Sequence, residues 1–467
     1  MDRTTVDRSK PPRPGRPKKI RFPDYFEGTL PNGLKVIVYE RHDLPLAMVD
    51  FVVRGGAWYD GDKPGLANIT AEMLTKGTAT RTEREIAEEI ESLGGSIETW
   101  TTWDCVAIGV TILSRYFRNA MEILADVTRR PTFPETELEL FRERHLAYLL
   151  QRKAQPSALA SLQFFRTVYE GHPYASPPDG TEESVRAIRT DHLKDLAARV
   201  ILPNNSFIVA AGDVDARECF ETCAELFGDW RGGETPPAAD MPPPERTGVR
   251  IQIVDRPQAV QTSLRIGHVG ITMKDPDYIT VMLMNTLLGG YFGSRINLNL
   301  REDKGFTYHA SSRFDKWMQA GPFSVATDVR NEVTDRAVEE ILREMERIRS
   351  ERVAKRELED VKRYVTGSFP RQIETPLQIA RSIMMIELYG LEKDFYNTFN
   401  PRVLAVTPAA ILDTARRTIH PEHAVIVAAG NASLLHKTLG RFGPVEVFTP
   451  DGEPVRVADS SKGTGTP

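Results

Sequence analysis

The sequence has 467 residues, of which 40% are hydrophobic and 27% are charged, as expected for a globular protein of about two domains. Its net charge of -5 is too small to indicate binding to nucleic acid. No apolar stretch is long enough for a transmembrane helix, and no apolar segment near the N-terminus marks a secretory signal, so we expect a cytoplasmic protein.

The three cysteines, Cys105, Cys219 and Cys223, are too few and too odd in number for a disulfide framework. Cys219 and Cys223 are four residues apart in a helical pattern, so they share a helix face. No cluster of His or Cys beside them completes a metal site. We therefore predict that all three cysteines are structural.

Composition divides the chain into two nearly equal parts. Residues 1–21 are basic and proline-rich, which predicts a disordered tail, with a docking or targeting arm as the alternative. The segment 231–248 contains five prolines, which predicts an extended linker between one domain at 22–230 and another at 249–450. Residues 451–467 are predicted to form a second disordered tail.

The first half combines apolar strands with amphipathic helices. Its predicted elements, in chain order, are strands at Leu34–Tyr39 and Met48–Val53, a helix from the capping box Thr82–Glu85 to Gly94, strands within Ser96–Leu113, and helices at Arg115–Arg130 and Glu135–Arg152. Strands that are grouped with helices, without strict alternation, indicate an α+β fold.

The second half repeats the plan of the first. FIVAAGD at Phe207–Asp213 and VIVAAGN at Val425–Asn431 each predict a buried strand followed by a turn. Further positions that match in the same order are Glu137 with Glu357, Pro156 with Pro376, and Thr190 with Thr407. These matches indicate an internal duplication, so we predict two tandem homologous α/β-sandwich domains, each an antiparallel-rich sheet packed with helices.

The segment Gly65–Thr78, GLANITAEMLTKGT, resembles the zinc helix of the insulinase/pitrilysin peptidases, the inverzincins, whose pattern is close to GLAHFLEHMLFKGT. The flanks match, but the first zinc histidine of the family falls on Asn68, the catalytic glutamate on Ala71 and the second histidine on Glu72. The third ligand of the family, a glutamate on a later helix, falls near Tyr148.

These replacements remove the chemistry of the family motif. Two histidines four residues apart place two imidazoles on one helix face, and the glutamate between them deprotonates a metal-bound water. Asn68 is a poor zinc ligand and Ala71 cannot act as a base. We therefore predict no metal in this chain, and the resemblance implies that zinc is held by a partner subunit. A stand-alone peptidase with a site rebuilt around Glu72 is the least favoured alternative.

The second half keeps a different motif of the same family. The segment Leu288–Phe314 resembles the family's C-terminal domain, in which an arginine and a tyrosine are separated by six residues; here they are Arg301 and Tyr308. The resemblance implies that both donate hydrogen bonds to the carbonyl region of a peptide in the partner's active site. The competing interpretation is that Arg301 pairs with the adjacent Glu302 or Asp303 and that Tyr308 packs in a strand.

Two segments are candidates for holding an extended peptide. Ser96–Asp104 matches the edge strand on which family members bind substrate as an added β-strand. The family pattern there is close to NAxT. In this chain the four positions are Glu98, Thr99, Trp100 and Thr101. Trp100 and Trp103 are expected to pack in the core or an interface, and Gly321–Val329 is expected to be the matching strand of the second half.

The resemblance covers the chain from about Phe22 to Val447. Loss of the zinc residues with retention of Arg301 and Tyr308 is the pattern of a non-catalytic subunit, as in bacterial heterodimeric members and in one half of mitochondrial processing peptidase. We therefore expect a chain that is inactive alone and that joins a homologous HxxEH-bearing zinc subunit around an unfolded peptide. The alternative is a structural assembly subunit without a peptidase role, like the core proteins of a respiratory complex.

Overall fold

The computed structural model of the protein describes residues 20–237 and 240–455. The predicted tail at 1–21 lies outside these residues except for its last two, and so do residues 456–467 of the second predicted tail. The strands are β1 (Phe26–Thr29), β2 (Lys35–Glu40), β3 (Leu46–Arg54), β4 (Ser96–Thr101), β5 (Cys105–Leu113), β6 (Ser206–Gly212), β7 (Arg250–Asp255), β8 (Gln261–Val269), β9 (Ala310–Phe314), β10 (Pro322–Arg330), β11 (Val425–Gly430), β12 (Val445–Phe448) and β13 (Pro454–Val455).

Helices lie between the strands in both halves. They are α1 (Leu66–Met73), α2 (Glu83–Ser92), α3 (Phe117–Arg129), α4 (Glu135–Lys153), α5 (Pro156–Val168), α6 (Glu182–Ala187), α7 (Thr190–Val200), α8 (Ala216–Phe227), α9 (Tyr278–Asn285), α10 (Arg295–Asn297), α11 (Thr334–Ser350), α12 (Lys355–Gln372), α13 (Pro376–Tyr389), α14 (Phe395–Ala405), α15 (Pro408–Thr418) and α16 (Ala432–Leu439), with π-helical turns at Thr286–Gly290 and Leu298–Asp303. In the described parts of the chain, no helix has the length and apolar character that a membrane crossing requires.

The two sheets share one topology, which confirms the predicted α+β class and the duplication. The first sheet has the order β1-β2-β6-β3-β5-β4 and the second has β13-β12-β7-β11-β8-β10-β9. The run β2-β6-β3-β5-β4 therefore matches β7-β11-β8-β10-β9. In each run the first pair of strands is parallel and the other pairs are antiparallel.

The local signals of the first half place its elements correctly. The capping box forms as predicted, because the Thr82 hydroxyl accepts from Glu85 N and the Glu85 carboxylate accepts from Thr82 N at 2.8 Å. All three cysteines are free and buried, as expected for structural residues.

The two halves exchange one helix each, a feature that the sequence did not reveal. Helix α5 of the first half packs on β8 and β11 of the second sheet, and α13 of the second half packs on β6, β2 and β3 of the first. Leu159 and Phe164 of α5 lie in one apolar cluster with Val427 of β11. Among the described residues, two apolar clusters contain buried side chains of both halves, and a third is formed by the first half alone.

The turns that join β4 to β5 and β9 to β10 meet between the halves. Their tryptophans, Trp103 and Trp317, have ring centroids 4.3 Å apart. The buried Asp104 carboxylate accepts from Tyr174 Oη at 2.8 Å, from Tyr389 Oη at 3.1 Å and from Met318 N at 2.8 Å. Asp104 therefore ties both halves together, and Trp103 packs in an interface as expected.

The described residues of the proline-rich segment 231–248 contain no helix or strand, and most of them are exposed. The segment is attached along its length, because Asn204 Nδ2 donates to Gly233 O at 2.8 Å and Tyr59 Oη donates to Pro237 O at 2.9 Å. Farther on, Met241 O lies 2.9 Å from His172 Nε2.

The predicted disordered tail from residue 451 begins too early. Strands β12 and β13 form an antiparallel hairpin in which Val447 pairs with Val455. Gly452 at the turn has a φ of 84°, a value that glycine adopts without strain. Asp451 Oδ1 lies 2.5 Å from Lys153 Nζ of α4. The Asp-Gly turn signal at 451–452 was the clue that the sequence interpretation missed.

Candidate functional site

Helix α1 carries Asn68, Ala71 and Glu72, the positions at which the sequence resemblance predicted lost zinc chemistry. The buried Asp60 carboxylate holds its start, because it accepts from Gly65 N and Ala67 N at 2.7 Å each. Burial raises the pKa of this carboxyl to about 7. Asp60 therefore fixes the start of α1, although Asn68, Ala71 and Glu72 replace the zinc-site residues that the family motif has there.

The replaced positions do not fit a zinc ion. Ala71 is buried with 1% of its surface exposed and offers no donor atom. Glu72 Oε1 accepts from the Thr99 hydroxyl of β4 at 2.7 Å. Tyr148 on α4 is 45% exposed, and the Arg152 guanidinium lies 5.7 Å from its ring centroid. With Asn68 as the remaining group, this set has no imidazole and only one carboxylate, that of Glu72, which already accepts a hydrogen bond from Thr99.

The rest of the described chain adds no alternative. Within residues 20–237 and 240–455, no group of three or more His, Cys, Asp or Glu side chains is arranged to hold a metal ion.

Strand β4 lies at the outer edge of the first sheet and contains the four predicted substrate-strand positions. It pairs with β5 on its inner side. Glu98 is exposed, whereas Thr99 and Thr101 are half-buried. Trp100 is partly buried against the core, as expected. The Thr99–Glu72 hydrogen bond ties this edge strand to α1.

The expectation that Gly321–Val329 is the second-half counterpart of β4 is wrong. Gly321–Val329 falls on β10, which lies between β8 and β9 and so has no free edge. The counterpart of β4 is β9, because both end the same strand order. The error arose because β10 has the longer apolar pattern, while β9 has only five residues, three of them polar or charged: Ser311, Ser312 and Arg313.

Arg301 and Tyr308 lie on a turn of unusual geometry that leads into β9. Arg301 belongs to the π-helical turn Leu298–Asp303. Its guanidinium carbon is 4.5 Å from the ring centroid of Phe292, and its Nε is 3.4 Å from Glu302 Oε1. The side chain of Arg301 is 36% exposed. The adjacent acid therefore contacts Arg301, but the guanidinium also stacks on an exposed aromatic ring.

Tyr308 is 90% exposed in the bend before β9, so the interpretation that it packs in a strand is wrong. Its neighbours are fixed, because the Thr307 hydroxyl donates to Asp328 O at 2.7 Å. A phenol that is held by an anchored backbone and projects into solvent is available to another molecule.

Two asparagines that the sequence interpretation did not single out hold this turn. Asn297 Nδ2 donates to Phe292 O at 2.7 Å, and its Oδ1 accepts from Ala310 N at 3.3 Å. Asn285 Nδ2 donates to Ser312 O at 3.1 Å. Asparagines beside glycine-rich turns were the available signal, since amide side chains commonly satisfy irregular backbone.

Two family models match the chain. Residues 35–181 match the insulinase model of peptidase family M16, and residues 187–365 match the model described as the peptidase M16 inactive domain. Together they cover most of both halves.

Similar proteins come from several bacteria and a plant. An uncharacterized zinc protease of Rickettsia bellii is 24% identical over 83% of this chain and 93% of its own length. A protein of Helicobacter pylori described as non-peptidase homolog YmxG is 27% identical over 73% of this chain and 78% of its own. A probable mitochondrial-processing peptidase subunit beta of Arabidopsis thaliana is 24% identical over 58% and 52%.

Solved structures share the fold. A peptidase M16 inactive domain from Pseudomonas fluorescens has a TM-score of 0.82 and 27% identity, and the match covers 87% of this chain and 98% of that one. A protease from Helicobacter pylori has a TM-score of 0.83 at 18% identity, with 88% and 100% covered.

Proposed function

Because this chain belongs to the insulinase (M16) family of peptidases and lacks the zinc-binding residues of that family, we propose that it is a non-catalytic subunit of a zinc-dependent endopeptidase. In this proposal a homologous partner subunit bears the HxxEH motif and the zinc ion. The present chain contributes Arg301 and Tyr308 to the partner's active site, where an unfolded peptide is cleaved.

The exposure of Tyr308 carries the proposal. The side chain of Tyr308 is 90% exposed and so contributes little to the stability of its own chain, yet the backbone on both sides of it is anchored. Arg301 lies seven residues earlier on the same turn, with its guanidinium over Phe292. An exposed phenol and a permanently charged guanidinium on one supported turn suit the recognition of a group outside the chain.

The two side chains have distinct roles in the proposed chemistry. The guanidinium of Arg301 offers planar N–H donors to the carbonyl oxygen of the scissile peptide as negative charge develops on it. The hydroxyl of Tyr308 donates a further hydrogen bond to the same region. Zinc, held by the partner, supplies the activated water, and neither residue of this chain needs to change its protonation state.

Strand β4 is the proposed site for the peptide on this chain. Its outer edge carries backbone groups that an extended peptide can pair with, at a position that Glu72 and Thr99 hold against α1. The family's asparagine is absent from this strand. We therefore assign β4 an auxiliary role in holding the peptide.

The test is reconstitution with the homologous zinc-bearing subunit and assay of unfolded peptides. Arg301→Ala and Tyr308→Phe are each expected to lower kcat at least tenfold, since each removes a donor to the transition state. Tyr364→Phe is the matched control, because Tyr364 is also an exposed tyrosine of this half. Stable assembly with unchanged cleavage in both variants would instead favour the structural assembly subunit.

A further inference from the structure

A charged ridge on α11 lies beneath the turn that carries Arg301. Arg336, Glu340 and Glu344 are spaced four residues apart, so they lie on one face of the helix. Glu340 and Glu344 are only 9% and 5% exposed. Buried carboxylates are costly unless they are paired, so their partners indicate what they are for.

Arg343 and Arg347 of α11 itself pair with Glu340 and Glu344, at 2.8 Å and 3.5 Å. The other partners of the two glutamates flank Arg301 in sequence. Asn299 Nδ2 donates to Glu340 Oε2 at 3.0 Å and to Glu344 Oε1 at 3.0 Å. Lys304 Nζ lies 3.7 Å from Glu340 Oε1. One carboxylate therefore holds the chain two residues before Arg301 and three residues after it. Arg301 itself is left free of the ridge.

The same ridge also supports the path to Tyr308. The Arg336 guanidinium carbon is 5.1 Å from the ring centroid of Phe306. Phe306 N donates to Leu300 O at 2.8 Å, which folds the segment after the turn back onto it. The contacts of the ridge thus reach from Asn299 to Phe306, which spans the whole interval between the π-helical turn and the loop of Tyr308.

The first half shows which residues occupy the positions equivalent to Glu340 and Glu344 where the chain has no π-helical turn above them. Helix α11 begins 217 residues after α3, and β10 begins 217 residues after β5. By this shift, Glu340 and Glu344 correspond to Ile123 and Val127, which are both buried. An apolar pair is therefore sufficient to pack this helix, and the carboxylates occur in the half that carries Arg301. π-Helical turns are strained and are commonly retained at functional sites.

We propose that Glu340 and Glu344 are positioning residues, which act through Asn299 and Lys304 to fix the π-helical turn and so aim Arg301 and Tyr308 outward. This inference rests on the proposed function for its purpose, but the positioning itself is a property of the chain alone. It can therefore be tested without the partner subunit.

The test exchanges the hydrogen-bond donors and acceptors among Asn299, Glu340 and Glu344. Asn299→Asp places a third carboxylate against the two glutamates and is expected to disorder the turn. The triple variant Asn299→Asp/Glu340→Gln/Glu344→Gln restores the contacts with two amides donating to one carboxylate. Glu346→Gln is the control, since Glu346 lies on the exposed side of α11. Asn299→Ala is the milder replacement if Asn299→Asp does not fold.

Two readouts separate positioning from general stability. In the chain alone, the fluorine signal of fluorotyrosine at Tyr308, assigned with Tyr308→Phe, is expected to shift or broaden in Asn299→Asp and to return in the triple variant. In the reconstituted peptidase, kcat is expected to fall at least tenfold with KM within about twofold, and to recover to within about fivefold in the triple variant.

An unmoved fluorine signal in Asn299→Asp and Asn299→Ala, or a triple variant that recovers neither readout, would overturn the positioning role. A fluorine signal that moves and recovers while Arg301→Ala leaves cleavage unchanged would support the positioning role and overturn the proposed function. The two failures are therefore distinguishable.

Discussion

Asp50 and Arg265 occupy the same position in the two sheets, although their charges are opposite. Asp50 on β3 lies opposite Val209 and Gly109, and Arg265 on β8 lies opposite Val427 and Ala326. Both are largely buried and both face the helix that the other half contributes. The Arg265 Nε donates to Ser161 Oγ of α5 at 3.0 Å.

The counterpart of Ser161 on the other exchanged helix is Arg381 on α13, 220 residues later. Its charge favours the ionised form of Asp50, but burial outweighs this effect and raises the pKa of Asp50 to about 7. Burial likewise lowers the pKa of Arg265. The two duplicates thus keep one architecture while their chemistry at the same position has diverged.

The first prediction concerns the pH dependence of stability through Asp50. The folded protein holds a proton on this carboxyl between about pH 4 and pH 7 that the unfolded chain has released, so stability falls as pH rises through this window. Asp50→Asn should stabilise the protein at pH 8 by up to about 4 kcal/mol and change it little at pH 4. Urea unfolding at both pH values measures the difference.

Asp62→Asn is the control for this effect, because Asp62 is on the surface. It should leave the pH dependence of unfolding in place. Asp60 has the same upward shift and is unchanged in both variants, so part of the pH dependence should remain in Asp50→Asn. An identical response of Asp50→Asn and the unmodified protein would contradict the burial argument.

The helix exchange predicts that the linker is not needed to hold the halves together. A protease site inserted between the exposed Glu234 and Thr235 should be cut in the native protein, and the two fragments should still elute as one species. The reason is that α5 stays with the first fragment and is buried on the second sheet, while α13 does the reverse. Fragments that separate without denaturant would contradict the exchange.

Local sequence signals gave the elements and the duplication but not the partner of each exchanged helix. The apolar spacing of α5 predicts a buried face equally well on either sheet, because helix patterns carry no information on which surface covers them. Only the long-range placement shows that Phe164 packs with Val427 of the other half.

The sequence motif predicts Arg301 and Tyr308 as the chemical groups of the candidate site, but no sequence signal indicates the residues of α11 that support them. Arg301 and Tyr308 could be found because a motif fixes residue types and spacing. Glu340 and Glu344 could not, because on an otherwise charged helix they resemble solvent-facing residues. Their burial depends on the fold of the turn above them, where Asn299 lies 41 residues before Glu340 and 45 residues before Glu344.

Asp104 is predicted to be a strong contributor to the contact between the halves. Asp104→Asn keeps one acceptor oxygen and leaves the donors of Tyr174, Tyr389 and Met318 competing for it, which should cost about 2–3 kcal/mol of unfolding free energy. Tryptophan fluorescence during urea unfolding, to which Trp103 and Trp317 contribute, measures it. Asp43→Asn, at an exposed position, should change the midpoint little; equal effects of the two variants would refute the role of Asp104.

Glu72 is predicted to serve as a structural residue where the family has a zinc ligand. Glu72→Ala should lower stability by about 1 kcal/mol, because the Thr99 hydroxyl loses its acceptor and β4 loses its link to α1. In a Thr99→Val background the same substitution should cost distinctly less. Zinc measured by mass spectrometry should stay far below one ion per chain in all variants. One zinc ion per chain that disappears in Glu72→Ala would reverse this conclusion and favour a stand-alone peptidase.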